Sequence, residues 1–277
     1  MTTKPSCADI ALVGMSAKFA KAPDLTTYWH NILDRVDAIH DASDEWLQHF
    51  LDSNPADFDR VYTRRGGFLG DRVEFDPTEF GIMPNAIHTA DADHFLALKA
   101  ASDALADAGY GEREFDRQNT GVILGRGTML TRSYSAGAQF VLTDQIVNIV
   151  KQLNPSLDPK LAEEMRAKLK ESLPRLTAEV SPSMVPNVIA GRIANRLNLM
   201  GPNYILDGAC ASSLLAVDMA VNELNSGRCN MVLAGGTQTA TPPLRKADRG
   251  CVRIWPRRNR THRHRDALAH GRPCIHA

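Results

Sequence analysis

The sequence predicts an α/β fold with a buried sheet packed between helices. Short apolar runs closed by glycine occur at 10–14, 120–125 and 230–234, the last ahead of Gly235-Gly236. Unbroken runs of this kind mark strands covered on both faces, because a strand with one wet face would alternate apolar and polar residues. Between them lie segments whose apolar residues recur every three or four positions, the spacing of one helix face. No repeat unit recurs, so strands alternating with helices point to layered α/β architecture.

The elements follow in order. After the strand at 10–14, residues 24–36 carry Leu25, Tyr28, Trp29, Ile32, Leu33 and Val36 at helical spacing. Pro23 precedes this stretch and Asp24 is placed to cap it. Residues 40–90 are rich in turns and acids, with Arg64-Arg65-Gly66-Gly67 in the middle, and read mainly as loop. Leu98, Ala101, Leu105 and Ala108 form one stripe of a helix over 94–108, and Gly109 stands where it stops. A strand over 120–125 comes next. Leu161, Met165, Leu169 and Leu173 define a helix opened by Pro159 and closed by Pro174, with Glu164 and Lys168 as an i,i+4 pair. This leucine stripe suits core or dimer packing. A helix over 187–197, a strand at 204–206, a helix over 211–224 and a strand at 230–234 complete the series.

Length and composition narrow the function classes. The 277 residues are enough for one large domain or two small ones. At 43% hydrophobic and 23% charged, the chain is neither disordered nor collagenous. No apolar run approaches the roughly 18 residues of a membrane span, and the first residues lack the blocks of a secretory signal. Five cysteines (7, 210, 229, 251 and 274) are scattered and odd in number, which fits free thiols in a reducing compartment. The expectation is a cytoplasmic protein without membrane association. The formal net charge of zero is uneven: ten Lys or Arg and two Asp fall in residues 244–277, which leaves 1–243 at −8.

Chemistry concentrates at residues 204–220. An apolar strand runs into Asp207-Gly208-Ala209, then Cys210, then small residues and an amphipathic helix. A nucleophile on such a strand-to-helix turn is presented at the sheet edge. The positive end of the following helix dipole favours a negatively charged sulfur there. Gly208, Ala209, Ala211 and Ser212 would let a bulky substrate approach. Spacing alone pairs no general base with Cys210, and a small, inert, packed cysteine fits the same pattern.

Several separated stretches carry a resemblance. Residues 185–236, VPNVIAGRIANRLNLMGPNYILDGACASSLLAVDMAVNELNSGRCNMVLAGG, resemble the active-site half of β-ketoacyl synthases. These are the condensing enzymes of fatty-acid, polyketide and polyunsaturated-fatty-acid synthases. IALVGMSAKFAKAPDLTTYWHNILDRVDAI looks like the start of that domain, and FDPTEFGIMPNAI, ALADAGY and TGVILGRGT resemble the stretches between, in the family's order. The resemblance covers about residues 8–242, so a synthase N-terminal domain is expected over 8–243. It implies a thiolase-like layered αβαβα fold, here the N-terminal half only.

It also implies that Cys210 is the nucleophile, which takes an acyl group from an acyl-carrier-protein thioester. The family condenses that group with a decarboxylated malonyl unit, so the implied class is acyltransferase. No metal or redox cofactor takes part, because the substrate arrives on the carrier's phosphopantetheine arm. The family dimerises through the strand just before the nucleophile, here 204–206. The alternative is a non-catalytic remnant acting in dimerisation or carrier-protein docking. Gly208 and Ala211 stand where relatives commonly carry Thr and Ser. The family's two histidine motifs, HGTGT-like and NIGH-like, have no counterpart; His270-Gly271-Arg272-Pro273 is not one. Full condensation by this sequence is therefore doubtful, and acylation is the step that remains.

The resemblance stops after Thr241-Pro242-Pro243. Residues 244–277 read as a solvated, disordered basic end, as a phosphate-binding surface, or as out-of-frame translation. The simultaneous switch to Arg, His and Pro favours the last. With one aromatic residue, Trp255, and no nucleic-acid fold, the tail is not expected to bind nucleic acid. Cys251, His262, His264 and Cys274 match no common zinc spacing. Gly125-Arg126-Gly127 begins like a dinucleotide fingerprint, but Leu130 replaces the third glycine. His88 and His94, near an acidic loop and a helix start, are expected to be solvated or capping.

Overall fold

A computed structural model describes residues 9–41, 63–69, 75–88, 90–127, 131–173 and 180–239. Helix α1 (Leu25–Leu33) begins where the Asp24 carboxylate accepts the Thr27 N–H at 2.7 Å. Two-residue strands β1 (His40–Asp41) and β2 (Arg65–Gly66) pair antiparallel, so part of the segment read as loop is ordered. Two 3-10 turns, Pro77–Phe80 and Pro84–His88, lead to α2 (Ala92–Asp107). Gly109 follows α2 with φ +77°, a left-handed conformation that a Cβ would oppose.

Strand β3 (Thr120–Gly125) is buried at all six residues, as its unbroken apolar run predicts. Next come α3 (Arg132–Leu153), α4 (Pro159–Ser172), the single turn α5 (Val180–Ser183) and α6 (Val188–Arg196). The chain closes with β4 (Asn203–Leu206), α7 (Ser212–Asn225) and β5 (Met231–Gly236). All three long strands run parallel in the order β4-β3-β5, with Leu124 opposite Ile205 on one side and Gly235 on the other. Parallel strands need helical crossovers, and those helices cover both faces of β3. Val122 and Leu124 pack with Phe75, Phe95, Leu98, Ile189 and Ile193 under α2 and α6. Ile123 points the other way, to Ala216 and Ala220 of α7. The described core is therefore a helix–sheet–helix sandwich centred on β3.

Three expectations need correction. Residues 10–14 form no strand; Leu12 and Val13 are exposed, and the segment lies along α2. The Met15 N–H donates to Asp107 Oδ2 at 2.8 Å, and a Cβ on Gly14 would stand 2.7 Å from Ala108 Cβ. A side-chain anchor thus replaces the strand pairing that the apolar run suggests. His94 is fully buried rather than solvated. Of the two readings of the α4 leucine stripe, core packing does not hold: Leu161 is exposed, Met165, Leu169 and Leu173 are half-buried, and Ala162 is the buried residue of the helix. The 22-residue α3 has no clear sequence signal, because Gly137 and scattered polar residues blur its period. The basic stretch 244–277, with the candidate zinc ligands Cys251, His262, His264 and Cys274, lies outside the described residues, as do Pro174 and Leu130. Among the described residues no His, Cys, Asp and Glu group could hold a metal, and no helix is long and apolar enough to cross a membrane.

Candidate active site at the turn between β4 and α7

Cys210 lies where the sequence places it, in a 3-10 turn (Ala209–Ala211) between β4 and α7, and it is exposed. A strand ending at the carboxyl edge of a parallel sheet must turn sharply to start a helix on one face. Four contacts make that turn. Asp207 Oδ1 accepts the Ala209 N–H at 2.9 Å. The Ser212 hydroxyl accepts the Gly208 N–H at 2.9 Å and donates to the Ala209 carbonyl at 2.7 Å. The Ala211 N–H donates to the Gly208 carbonyl at 3.1 Å. Ala209 adopts φ +51°, a left-handed conformation that costs an alanine about 1–2 kcal/mol. That strain sits directly before Cys210, as is common where backbone geometry serves a site.

Glycines let this turn press against the sheet. A Cβ on Gly125, at the end of β3, would fall 2.7 Å from Ser212 Cβ and closer still to the Ser212 carbonyl. One on Gly236, at the end of β5, would meet Ser213 Cβ at 2.8 Å. One on Gly208 would meet only the tip of the exposed Leu215 side chain, which can swing aside, so a larger residue is accommodated at that position. The first turn of α7 therefore seats on the ends of β3 and β5 with no side chain between. The other described cysteine, Cys229, is buried before β5, and burial pushes its thiol pKa up.

The family model described as "Beta-ketoacyl synthase, N-terminal domain" matches residues 8–267. The chain belongs to the β-ketoacyl synthase family. A polyunsaturated fatty acid synthase polypeptide of Thraustochytrium sp. is 32% identical over 234 residues, 83% of this chain and 8% of that protein. Polyketide synthase PksN of Bacillus subtilis is 30% identical over 236 residues, 84% of this chain and 4% of that protein. The solved PfaC keto synthase–chain length factor superposes with a TM-score of 0.65 at 26% identity, over 84% of this chain and 24% of that one. The chain thus spans less than a tenth of either synthase. This ketosynthase domain shares the thiolase-like α/β fold of its structural neighbours.

Around the ketosynthase turn lies a set of groups that sequence reading missed. Arg126, one residue beyond β3, is buried and paired with the buried Asp93, rather than forming part of a dinucleotide loop. Asp91 accepts the Ser133 N–H at 2.9 Å. His94 lies within the field of Arg192, Asp91 and Arg126, and burial is the main cause of its pKa falling from 6.5 to about 4. The signal was present in Asp91-Ala92-Asp93-His94, three ionisable residues at the start of an apolar helix, but its partner is 33 positions away.

Proposed function

We propose that this domain accepts acyl groups on Cys210 from an acyl-carrier-protein thioester. The sulfur attacks the thioester carbonyl, the carbonyl carbon–sulfur bond to the phosphopantetheine arm breaks, and the arm leaves as a free thiol carrying the proton. Thioester exchange conserves bond type, so this step requires no metal or redox group. In the full synthases to which such domains belong, acylation would precede decarboxylative condensation with a malonyl unit; for this chain the proposal stops at the acyl-enzyme. The observation that carries it is the exposed Cys210 on a strained, close-packed turn between a parallel strand and a helix. That geometry presents a sulfur to a long, thin arm, whereas an inert cysteine would be covered. A carrier protein is the partner this chemistry needs. A homodimer through the β4 edge is the assembly that the family reading favours. A docking or dimerisation remnant would need no presented thiol.

The test is incubation of the purified chain with an acyl thioester, followed by peptide mass spectrometry. Acyl mass on Cys210, absent from Cys210→Ala, is the expected result. A folded chain that takes no acyl group would overturn the proposal.

A further inference from the structure

The first turn of α2 holds the residue after β3 and the first turn of α3. On the β3 side, Nε and a terminal nitrogen of Arg126 both lie 2.8 Å from Asp93 Oδ2. The two side chains are only 4% and 2% exposed. On the α3 side, Asp91 Oδ1 takes the backbone N–H of Ser133. Burying a guanidinium and a carboxylate is costly, and such a pair is weak evidence for stability by itself. Desolvation raises the pKa of Asp93 even against the pull of Arg126. A costly pair at one particular place invites a positional role.

That place is the backbone on which the Cys210 turn is built. The Arg126 N–H donates to the carbonyl of Leu206, the last residue of β4, at 3.0 Å. Gly125 meets Ser212, the first residue of α7, with no room for a Cβ. The segment from Leu206 to Ser212 that bears Cys210 is therefore fixed at its start by Arg126 and at its end by Gly125. The Thr237 N–H also donates to the Gly125 carbonyl at 3.0 Å, so β5 closes the same corner. We propose that the Asp93–Arg126 pair is a positioning device for Cys210, holding the 125–126 backbone against which the turn between β4 and α7 is set. Its functional meaning rests on Cys210 being the acyl acceptor.

The test measures alkylation of Cys210 by iodoacetamide in the full chain, a reaction that does not depend on acyl transfer. Cys229 serves as an internal control. It is buried at the opposite end of the sheet, beside Gly121, and becomes labelled only if the fold opens. Arg126→Met is expected to slow Cys210 alkylation on the order of 10-fold while Cys229 stays protected. Arg126→Lys, which keeps a donor for Asp93, should recover most of the rate. Asp93→Asn, nearly equal in volume, gives a second reading if Arg126→Met does not fold. Cys210 alkylation at the wild-type rate in folded Arg126→Met or Asp93→Asn would overturn the proposal. So would slowing that always accompanies Cys229 labelling, since that marks general loosening. Acyl transfer to wild-type Cys210, measured separately, tests the nucleophile reading alone.

Discussion

At the scale of single residues, the site depends on what is missing as much as on what is present. Gly125 has no Cβ, and only for that reason can Ser212 sit against the end of β3. Gly125→Ala is expected to lower stability by about 1–3 kcal/mol, because the group it meets is backbone as well as side chain. It should also slow acylation of Cys210, since the turn can relieve the clash only by moving. Urea unfolding and the acylation assay check the two effects; an alanine variant with unchanged midpoint and rate would show that the corner is loosely packed. Cys210 itself, the exposed thiol of this corner, was legible from sequence. The strained Ala209 before it and the Asp93–Arg126 pair beneath it were not, since φ angles and partners distant in the chain leave no local pattern.

At the scale of elements, α2 carries an unusual burden, with Asp91, Asp93 and His94 all buried around its first turn. His94 is depressed to about 4, first by burial and then by Arg192 of α6, with Asp91 opposing and Arg126 adding. In the unfolded chain it titrates near 6.5, so between about 6.5 and 4 the unfolded state binds more protons. Its stabilising contribution is complete above pH 6.5 and fades as pH falls toward 4, by about 3 kcal/mol in all. Asp93 works in the other direction: its pKa is raised, so its contribution is present below 3.8 and is lost as pH rises through its folded value. His94→Gln removes the first effect alone, and urea midpoints measured from pH 7 to pH 4 should decline less steeply than in the wild type. Equal slopes would place the acid sensitivity elsewhere. Among the helices, α1, α2 and α4, with their apolar periods, and also α6 and α7 were readable in advance. By contrast, α3 was not, since many of its apolar residues, including Val141, Leu142, Ile146 and Ile149, face outward.

At the scale of the whole molecule, the described surface exposes large apolar side chains, some of them on the helix that follows the site. Leu214 is 74% exposed, with Leu215 and Val217 beside it on α7, and Leu12 and Val13 are exposed near the start of the described chain. Contiguous exposed apolar area promotes association. Leu214→Lys is therefore expected to reduce light scattering at a given protein concentration without loss of helical circular dichroism; unchanged scattering would assign association to another surface. Local periodicity was enough to mark β3, β4 and β5, of which β3 alone is buried throughout, and motifs whose spacing the chain fixes were enough to mark the family and the position of Cys210. Three-dimensional packing was needed to decide that residues 10–14 lie along α2 instead of joining the sheet. It was needed again to make α3 and α4 a half-exposed pair and to bring Arg126 across to Asp93. Each of these outcomes depends on which distant residue fills a neighbouring space or satisfies a buried charge, and a window of adjacent residues holds no record of that.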